Sequence, residues 1–162
     1  MKALALALAV LAPGAAWADA PLDRAAAGAV ECLEIGDRDC IGNTARFCME
    51  ATPDGHTTVR QMECLLAEHD GWDRLLNEEY TRARTEAARV DGADQPDHAV
   101  RADRLRAAQR AWIAFRDANC AMAYALHGGG SLRQISGAQC VLRMTAERTF
   151  ELRALYRALG GD

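Results

Sequence analysis

Six cysteines constrain the fold of this chain more than any other feature of its sequence. An even number of cysteines is typical of disulfides in an oxidising compartment, and six of them allow 15 full pairings. Four of these cysteines and His56 recur every eight residues, which raises the question of a metal cluster. Structural zinc sites use cysteines two to four residues apart, and eight residues turn a helix by about 80°, so such ligands would not share a face. The sequence therefore favours disulfides over metal for Cys32, Cys40, Cys48, Cys64, Cys120 and Cys140.

The spacing of the cysteines suggests which of them pair. Cys120 and Cys140 flank a glycine-rich turn, and a helical hairpin that closes there brings them together. Cys48 with Cys64 and Cys32 with Cys40 follow as the remaining pairs. Each disulfide would stabilise the fold by about 2 to 4 kcal/mol, mainly by restricting the unfolded chain.

The first eighteen residues have the pattern of a secretory signal peptide. Lys2 is followed by an apolar run from Ala3 to Leu11 and by the small-x-small sequence Ala16-Trp17-Ala18. The run is too short to span a bilayer, which takes about 20 residues, and no cysteine follows it to carry a lipid. We expect cleavage near Ala18 and a periplasmic or secreted protein without a membrane span. The predicted organisation is a signal peptide (1–18), a cysteine-rich segment with one short helix (19–56) and a helical domain (57–162).

Helical periodicity dominates the rest of the chain, and no alternating strand pattern occurs. Apolar residues at spacings of three and four predict long helices over about 57–90, 98–126 and 132–159, and a short helix over 41–51. Residues 19–38 contain Pro21, Gly28 and Gly36, so we expect a loose segment there with room for one short helix. Gly71 lies inside the first long helix and costs about 1 kcal/mol relative to alanine. The predicted fold class is all-α: an antiparallel, disulfide-stapled bundle of three long helices and a short N-terminal helix.

The charges are distributed unevenly along the chain. Residues 19–100 hold 18 acidic side chains and 8 arginines, for a net charge of -10, whereas residues 101–162 hold 5 acidic side chains and 10 arginines, for +5. A total charge of -4 is far from the basic character of nucleic-acid-binding proteins, so we expect no nucleic-acid partner. The two halves either pack against each other with complementary potentials or leave an acidic surface for a partner.

Catalytic patterns have little support in the sequence. No Gly-x-Ser-x-Gly elbow occurs, and Ser131 and Ser136 have no ordered histidine and acid nearby. The four histidines lack the spacing of a metalloprotease, and the triple glycine follows a helix without the lysine of a phosphate-binding loop. We therefore expect no enzyme activity, no cofactor and no metal.

The most specific stretch of the chain runs from Leu105 to Cys120, with the sequence LRAAQRAWIAFRDANC. Together with Gly129-Gly130-Ser131, Cys140, Thr145, Arg148 and Leu152, and with the upstream segment from Trp72 to Tyr80, it resembles the lysozyme inhibitor LprI-like family over about residues 60–156. The motif residues are Asn77, Tyr80, Gln109, Trp112, Arg116, Asp117, Thr145 and Arg148.

Several motif residues have expected structural roles. Trp112 and Phe115 lie on an apolar stripe with Leu105, Ala108 and Met122, and are expected in the core. Arg116 and Asp117 are adjacent and point in different directions on a helix, so each needs a partner elsewhere. We expect Arg116 to pair with Glu147 or Glu151, and Asp117 with Arg148.

The resemblance implies a small exported helical protein that inhibits lysozyme. An acidic protein would be steered towards a cationic wall-degrading muramidase, and a protruding loop would block its cleft. Candidate partner-binding residues lie in the acidic loop around residues 91–97 and in the glycine turn: Asp91, Asp94, Asp97, His127, Gly129 and Ser131. The alternative is a non-catalytic structural or interaction protein of the cell envelope that does not touch lysozyme.

Overall fold

The structure, a computed structural model, describes residues 20–162, so the expected signal peptide lies outside the described residues. These residues form five helices and one short 3-10 turn at Arg38–Cys40, and they contain no strand. The predicted all-α, disulfide-stapled class is confirmed. The helices are α1 (Ala20–Ile35), α2 (Asn43–Ala51), α3 (Thr58–Gly92), α4 (Arg101–Ala125) and α5 (Leu132–Ala158).

The directions of the three long helices follow from their contacts. The hydroxyl of Thr149 donates to the carbonyl of Trp72, and Arg153 bonds Glu79 further along α3, so α3 and α5 run the same way. The Cys120–Cys140 disulfide joins the end of α4 to the start of α5, so α4 runs antiparallel to both. No helix in residues 20–162 is both long and apolar enough to cross a membrane.

The first helix is more ordered than the sequence predicted. We expected a loose segment over residues 19–38, but α1 is a regular helix of 16 residues. Pro21 lies in its first turn, where a missing N–H costs no intrahelical hydrogen bond. Gly28 faces α2, where a Cβ would collide with the side chain of Thr44, and Gly36 ends the helix with a φ of +78°. The residues that looked like helix breakers therefore allow close packing and a tight helix end.

Gly71 has a similar explanation inside α3. The helix continues unbroken through this residue, which is buried where α1 crosses α3. A Cβ at residue 71 would overlap the backbone carbonyl of Ala26. The loss of helix propensity at Gly71 is thus offset by the close approach of α1.

The core lies between α1, α3 and α5. Trp72 is fully buried at its centre, with its ring centroid 5.5 Å from that of Phe150. Leu33 from α1 and Leu142 from α5 are also buried in this cluster. A second, smaller cluster around Leu152 joins α3 and α5 to the start of α4.

The helix α4 contributes much less to the core than its apolar stripe predicted. Leu105 is buried and Trp112 is half-buried, but Phe115 is 61% exposed, and Ala108 and Met122 are exposed as well. The predicted core position of Phe115 is therefore wrong. The physical reason is that α4 lies at the edge of the bundle and meets its neighbours along a narrow face only.

All six cysteines form disulfides. The pairs are Cys32–Cys40, Cys48–Cys64 and Cys120–Cys140, the same pairs that the sequence suggested. The first closes the turn after α1, the second ties α2 to α3, and the third joins α4 to α5. His56, the fifth member of the eight-residue repeat, is exposed in the turn before α3. Because the thiols are used in disulfides, the repeat does not form a metal cluster.

Two buried carboxylates hold the acidic half of the molecule together. Glu68 is 1% exposed and accepts hydrogen bonds from the backbone N–H groups of Gly42 (2.8 Å) and Ala45 (2.7 Å) at the start of α2. It thereby caps a helix that has no side-chain cap of its own. Glu79 is 2% exposed and accepts from Arg153 at 2.9 Å, and the same guanidinium donates to the carbonyl of Leu33. Arg153 therefore links α1, α3 and α5.

Candidate functional site

Five of the motif residues meet where α4 packs on α5. Arg148 donates from Nε to the side-chain oxygen of Gln109 at 3.0 Å, and Arg116 donates to the hydroxyl of Thr145 at 3.4 Å. Both guanidinium groups lie near the ring of Trp112, at 5.1 Å for Arg116 and 5.8 Å for Arg148. Stacking of this kind contributes about 0.5 to 1 kcal/mol per pair at partly exposed sites. This cluster fixes the register of α4 against α5.

The expected ion pairs across the hairpin are not formed. Arg116 bonds its neighbour Asp117 at 3.0 Å, and Arg148 bonds Glu151 on its own helix at 2.8 Å. The prediction assumed that adjacent residues on a helix cannot pair, because their Cβ atoms point in different directions. It was wrong because an arginine side chain is long enough to reach a carboxylate on its own helix. Neither Glu147 nor Glu151 contacts Arg116, since Glu147 instead pairs with Arg38 at 2.9 Å.

The remaining motif residues, Asn77 and Tyr80, lie on α3. They line a groove of about 330 Å³ between α3 and α4, together with Gln109 and Arg116. Asn77 donates to the backbone carbonyl of Asp73 at 2.8 Å, and Tyr80 packs against the second core cluster. Asn77, Tyr80, Gln109 and Arg116 thus face one groove, whereas Trp112 lines a different one together with Arg148 of α5.

The acidic loop between α3 and α4 is not a free patch of carboxylates. Asp91 accepts from the backbone N–H groups of Arg101 (3.1 Å) and Ala102 (2.9 Å), and so caps the start of α4. Arg101 also bonds Asp91 at 3.0 Å and Asp94 at 2.8 Å. Of the three candidate aspartates, only Asp97 is exposed without an ion pair in the described part of the chain.

The pKa values of these carboxyls follow from the same contacts. The backbone N–H of Ala102 holds the pKa of Asp91 below its ordinary value, with Arg101 adding to the effect. The guanidinium of Arg101 is the main cause that lowers the pKa of Asp94. Both carboxyl groups are therefore ionised at neutral pH and stabilise the start of α4 through these contacts.

The glycine turn between α4 and α5 lies at the other end of the bundle. His127, Gly129 and Ser131 are all exposed. Ser131 with Gln134 three residues later has the sequence of a capping box, and Ser131 does precede α5, but its side chain makes no capping hydrogen bond. The 25 residues of α4 separate this turn from the acidic loop by about 37 Å, at 1.5 Å per residue. The structure does not bring the two groups of candidate partner-binding residues together.

The sequence reasoning missed an acidic segment at the end of α1 and in the turn that follows it; we call residues 31–39 the acidic turn. Glu31, Glu34, Asp37 and Asp39 are exposed there, and none of them forms an ion pair within residues 20–162. The turn also exposes Ile35 and is closed by the Cys32–Cys40 disulfide. A local charge count over residues 31–39 would have found it, whereas averaging over residues 19–100 concealed it.

The geometry defines a small disulfide-stapled helical protein whose motif residues join helices to one another. Because disulfides persist in oxidising compartments, such a protein belongs outside the cytoplasm. The family model described as lysozyme inhibitor LprI matches residues 48–152, and the chain belongs to that family. The acidic turn and α1 precede the matched residues.

The chain is also similar to a protein from Rhizobium meliloti (strain 1021) described as uncharacterized protein R02472. The two are 31% identical over 112 residues, which cover 65% of this chain and 81% of that protein. No solved structure matches the chain.

Proposed function

We propose that this protein binds and blocks a cationic wall-degrading muramidase, with the acidic turn as the main contact. The family description supplies the class of partner. The observation that carries the proposal is the turn itself, which exposes the side chain of Ile35 and four carboxylates that form no ion pair within residues 20–162. An apolar anchor with a charged rim is a common arrangement in protein interfaces.

The acidic turn is held rigidly, which lowers the entropy cost of binding. The Cys32–Cys40 disulfide closes it at its base. Arg38, in the middle of the turn, pairs with Glu147 and stacks over Phe150 at 5.2 Å from the ring centroid. The one basic residue of the turn is therefore occupied by α5, and the carboxylates face solvent. This leaves a preformed acidic surface for a cationic partner.

Two other surfaces compete as contacts. Asp91 and Asp94 already bind Arg101, so in the acidic loop only Asp97 offers a free carboxylate. The glycine turn with His127, Gly129 and Ser131 is exposed but carries no acidic residue. Because it carries no negative charge, this turn would fit against the two catalytic carboxylates in a muramidase cleft rather than against the cationic surface around the cleft.

The test is inhibition of lysozyme in a wall-lysis assay, at low and high salt, with purified oxidised protein. We expect inhibition that weakens as salt rises, because steering between opposite charges is screened. Glu31→Arg with Glu34→Arg should weaken inhibition about tenfold or more, since it places like charges against the enzyme. The matched control, Glu50→Arg with Glu78→Arg, makes the same change at exposed acids elsewhere and should cost about threefold or less.

Four outcomes decide between these interpretations. Loss of inhibition in the first variant alone supports the acidic turn. Equal loss in both variants would mean that inhibition depends on the net charge of the protein and not on the position of the acidic turn. Loss on changing His127 or Ser131 instead would assign the contact to the glycine turn. No inhibition at any salt overturns the proposal and leaves the alternative of an interaction protein of the cell envelope.

We also propose that the protein reaches the periplasm through a signal peptide cleaved after Ala18. The apolar run of residues 3–11 and the sequence Ala16-Trp17-Ala18 support this route. N-terminal sequencing of the exported protein should give Asp19 as the first residue. An intact N-terminus in the exported protein would contradict it.

A further inference from the structure

The end of the α4–α5 hairpin differs chemically from the rest of the molecule. We call residues 120–140, the segment closed by the third disulfide, the hairpin tip. Asp117 is the last acidic residue before it and Glu147 is the first after it, so the intervening stretch contains no carboxylate side chain. The same stretch contains Arg133 and Arg143. In a chain with a net negative charge, this end is locally cationic.

The hairpin tip also exposes large apolar side chains. Leu126 is 68% exposed, Met122 60% and Leu132 58%, and Tyr124, two residues after Met122 on α4, is 40% exposed. A contiguous apolar patch rimmed by polar groups usually marks an interaction surface. A groove of about 540 Å³ lies between the hairpin and the start of α3, lined by Tyr124, by Met62 and Leu66 on the α3 side, and by Asp117 below the tip.

The arrangement of the hairpin tip is fixed rather than loose. The Cys120–Cys140 disulfide crosses its base, and the hydroxyl of Ser136 donates to the carbonyl of Ala123 at 3.1 Å. The guanidinium of Arg133 lies 5.4 Å from the centre of the Tyr124 ring, which places a cation and an aromatic ring side by side at the edge of the patch. Tyrosine and arginine at the boundary of an apolar surface are typical of side chains that meet the interface of a bilayer.

We propose that the hairpin tip docks on an anionic phospholipid surface. Leu126, Leu132 and Met122 would enter the headgroup region, while Arg133 and Arg143 contact the lipid phosphates. Apolar burial and attraction to anionic lipid together give the affinity of such interfacial contacts. A cationic muramidase is disfavoured as the occupant because the tip offers it no negative charge. The acidic turn and the hairpin tip would therefore serve different partners.

The test is co-sedimentation of the purified, oxidised full chain with vesicles. One set contains phosphatidylcholine alone, and the other contains equal parts of phosphatidylcholine and phosphatidylglycerol. We expect binding to the anionic vesicles, weaker binding to the neutral ones, and a decrease with salt. Leu126→Asp with Leu132→Asp should weaken binding to the anionic vesicles about tenfold or more, because it replaces the two exposed leucines that would enter the headgroup region.

The matched control is Val30→Asp with Ile35→Asp, which changes two exposed aliphatic residues of α1 and adds the same charge. It should retain vesicle binding within about threefold, because these residues lie far from the hairpin tip. A second pair of variants leaves the apolar patch intact. Arg133→Gln and Arg143→Gln should each weaken binding to the anionic vesicles about fivefold. Each should change binding to the neutral vesicles only slightly.

The opposite results overturn the proposal. The proposal fails if the natural sequence does not bind anionic vesicles, or if it binds the two vesicle types equally. It also fails if the tip variant and the α1 variant lose the same amount of vesicle binding. Self-association that disappears in the tip variant, without vesicle binding, would assign the patch to a second copy of the chain instead.

Discussion

The two tryptophans near the middle of the long helices show how differently the two sides of the bundle are built. Trp72 is fully buried between α1, α3 and α5, with its indole N–H bonded to Glu68 at 3.2 Å. Trp112 is half-buried at the edge of the bundle, between two arginines. The first belongs to a core that excludes water, whereas the second belongs to a joint between two helices. The same side chain therefore contributes to stability in one place and to helix register in the other.

The charges follow the same division. On the side of α1, α2 and α3, two carboxylates are buried and used for structure, and four more crowd an exposed turn. On the side of α4 and α5, most charged groups are arginines, and the end of the hairpin exposes apolar side chains. The buried carboxylates and the exposed acidic turn thus lie in one half of the chain, whereas the other half offers a surface with few acidic side chains.

The largest expected effect comes from truncating the two tryptophans. Trp72→Ala should cost about 3 to 5 kcal/mol of unfolding free energy, because it leaves a cavity in a closed core. Trp112→Ala should cost about 1 to 2 kcal/mol, since water can fill the space and only stacking with Arg116 and Arg148 is lost. Urea denaturation of the oxidised proteins measures both. Equal costs would break the distinction between core and joint.

The next effect concerns the buried ion pair between Glu79 and Arg153. Arg153→Met should cost about 3 kcal/mol, because it leaves a buried carboxylate with a weaker set of partners and removes the bond to Leu33. The double variant with Glu79→Leu should regain most of this loss, as apolar replacement of both partners removes the desolvation cost. Arg143→Met, which changes an exposed arginine without an ion pair in the described chain, should be nearly neutral. Failure of the double variant to recover would contradict this account.

The smallest effect is expected at the loop between the two halves. The pKa of Asp91 is lowered from 3.8 by the backbone N–H of Ala102 and by Arg101, so its contribution to stability is present above that value. The contribution should decrease as the pH falls below 3.8 and through the lower pKa of the folded state. Asp91→Asn should lower the thermal midpoint slightly at pH 7. At acid pH it should make less difference, and an equal difference at both pH values would count against the capping role.

Much of the fold could be predicted from local sequence pattern. The periodicity over residues 57–90 corresponds to α3, and the breakers near residues 91–97 and 127–131 correspond to the loops on either side of α4. The spacing of the cysteines suggested the three disulfides that the structure contains. These features depend on residues close together in the chain, so a sequence can encode them without knowledge of the packing.

The candidate site was less predictable for the same reason. Phe115 has the spacing of a core residue, but no helix within residues 20–162 covers that face of α4. Asp91 and Asp94 have the composition of an acidic patch, but Arg101 is folded against them. Burial and pairing depend on which distant residue occupies the facing position, and one sequence does not specify that partner locally.

The sequence by itself determined the three long helices, the loops between them, the family and the imbalance of charge between the two halves. The tertiary structure decided that Gly28 and Gly71 lie at helix contacts, that Glu68 and Glu79 are buried, and that the acidic turn and the hairpin tip are separate surfaces. The physical reason is the distance along the chain over which each effect acts. Helix propensity and periodicity act over a few residues, whereas burial, capping by a distant side chain and exposure of a face arise only when helices far apart in the chain come together.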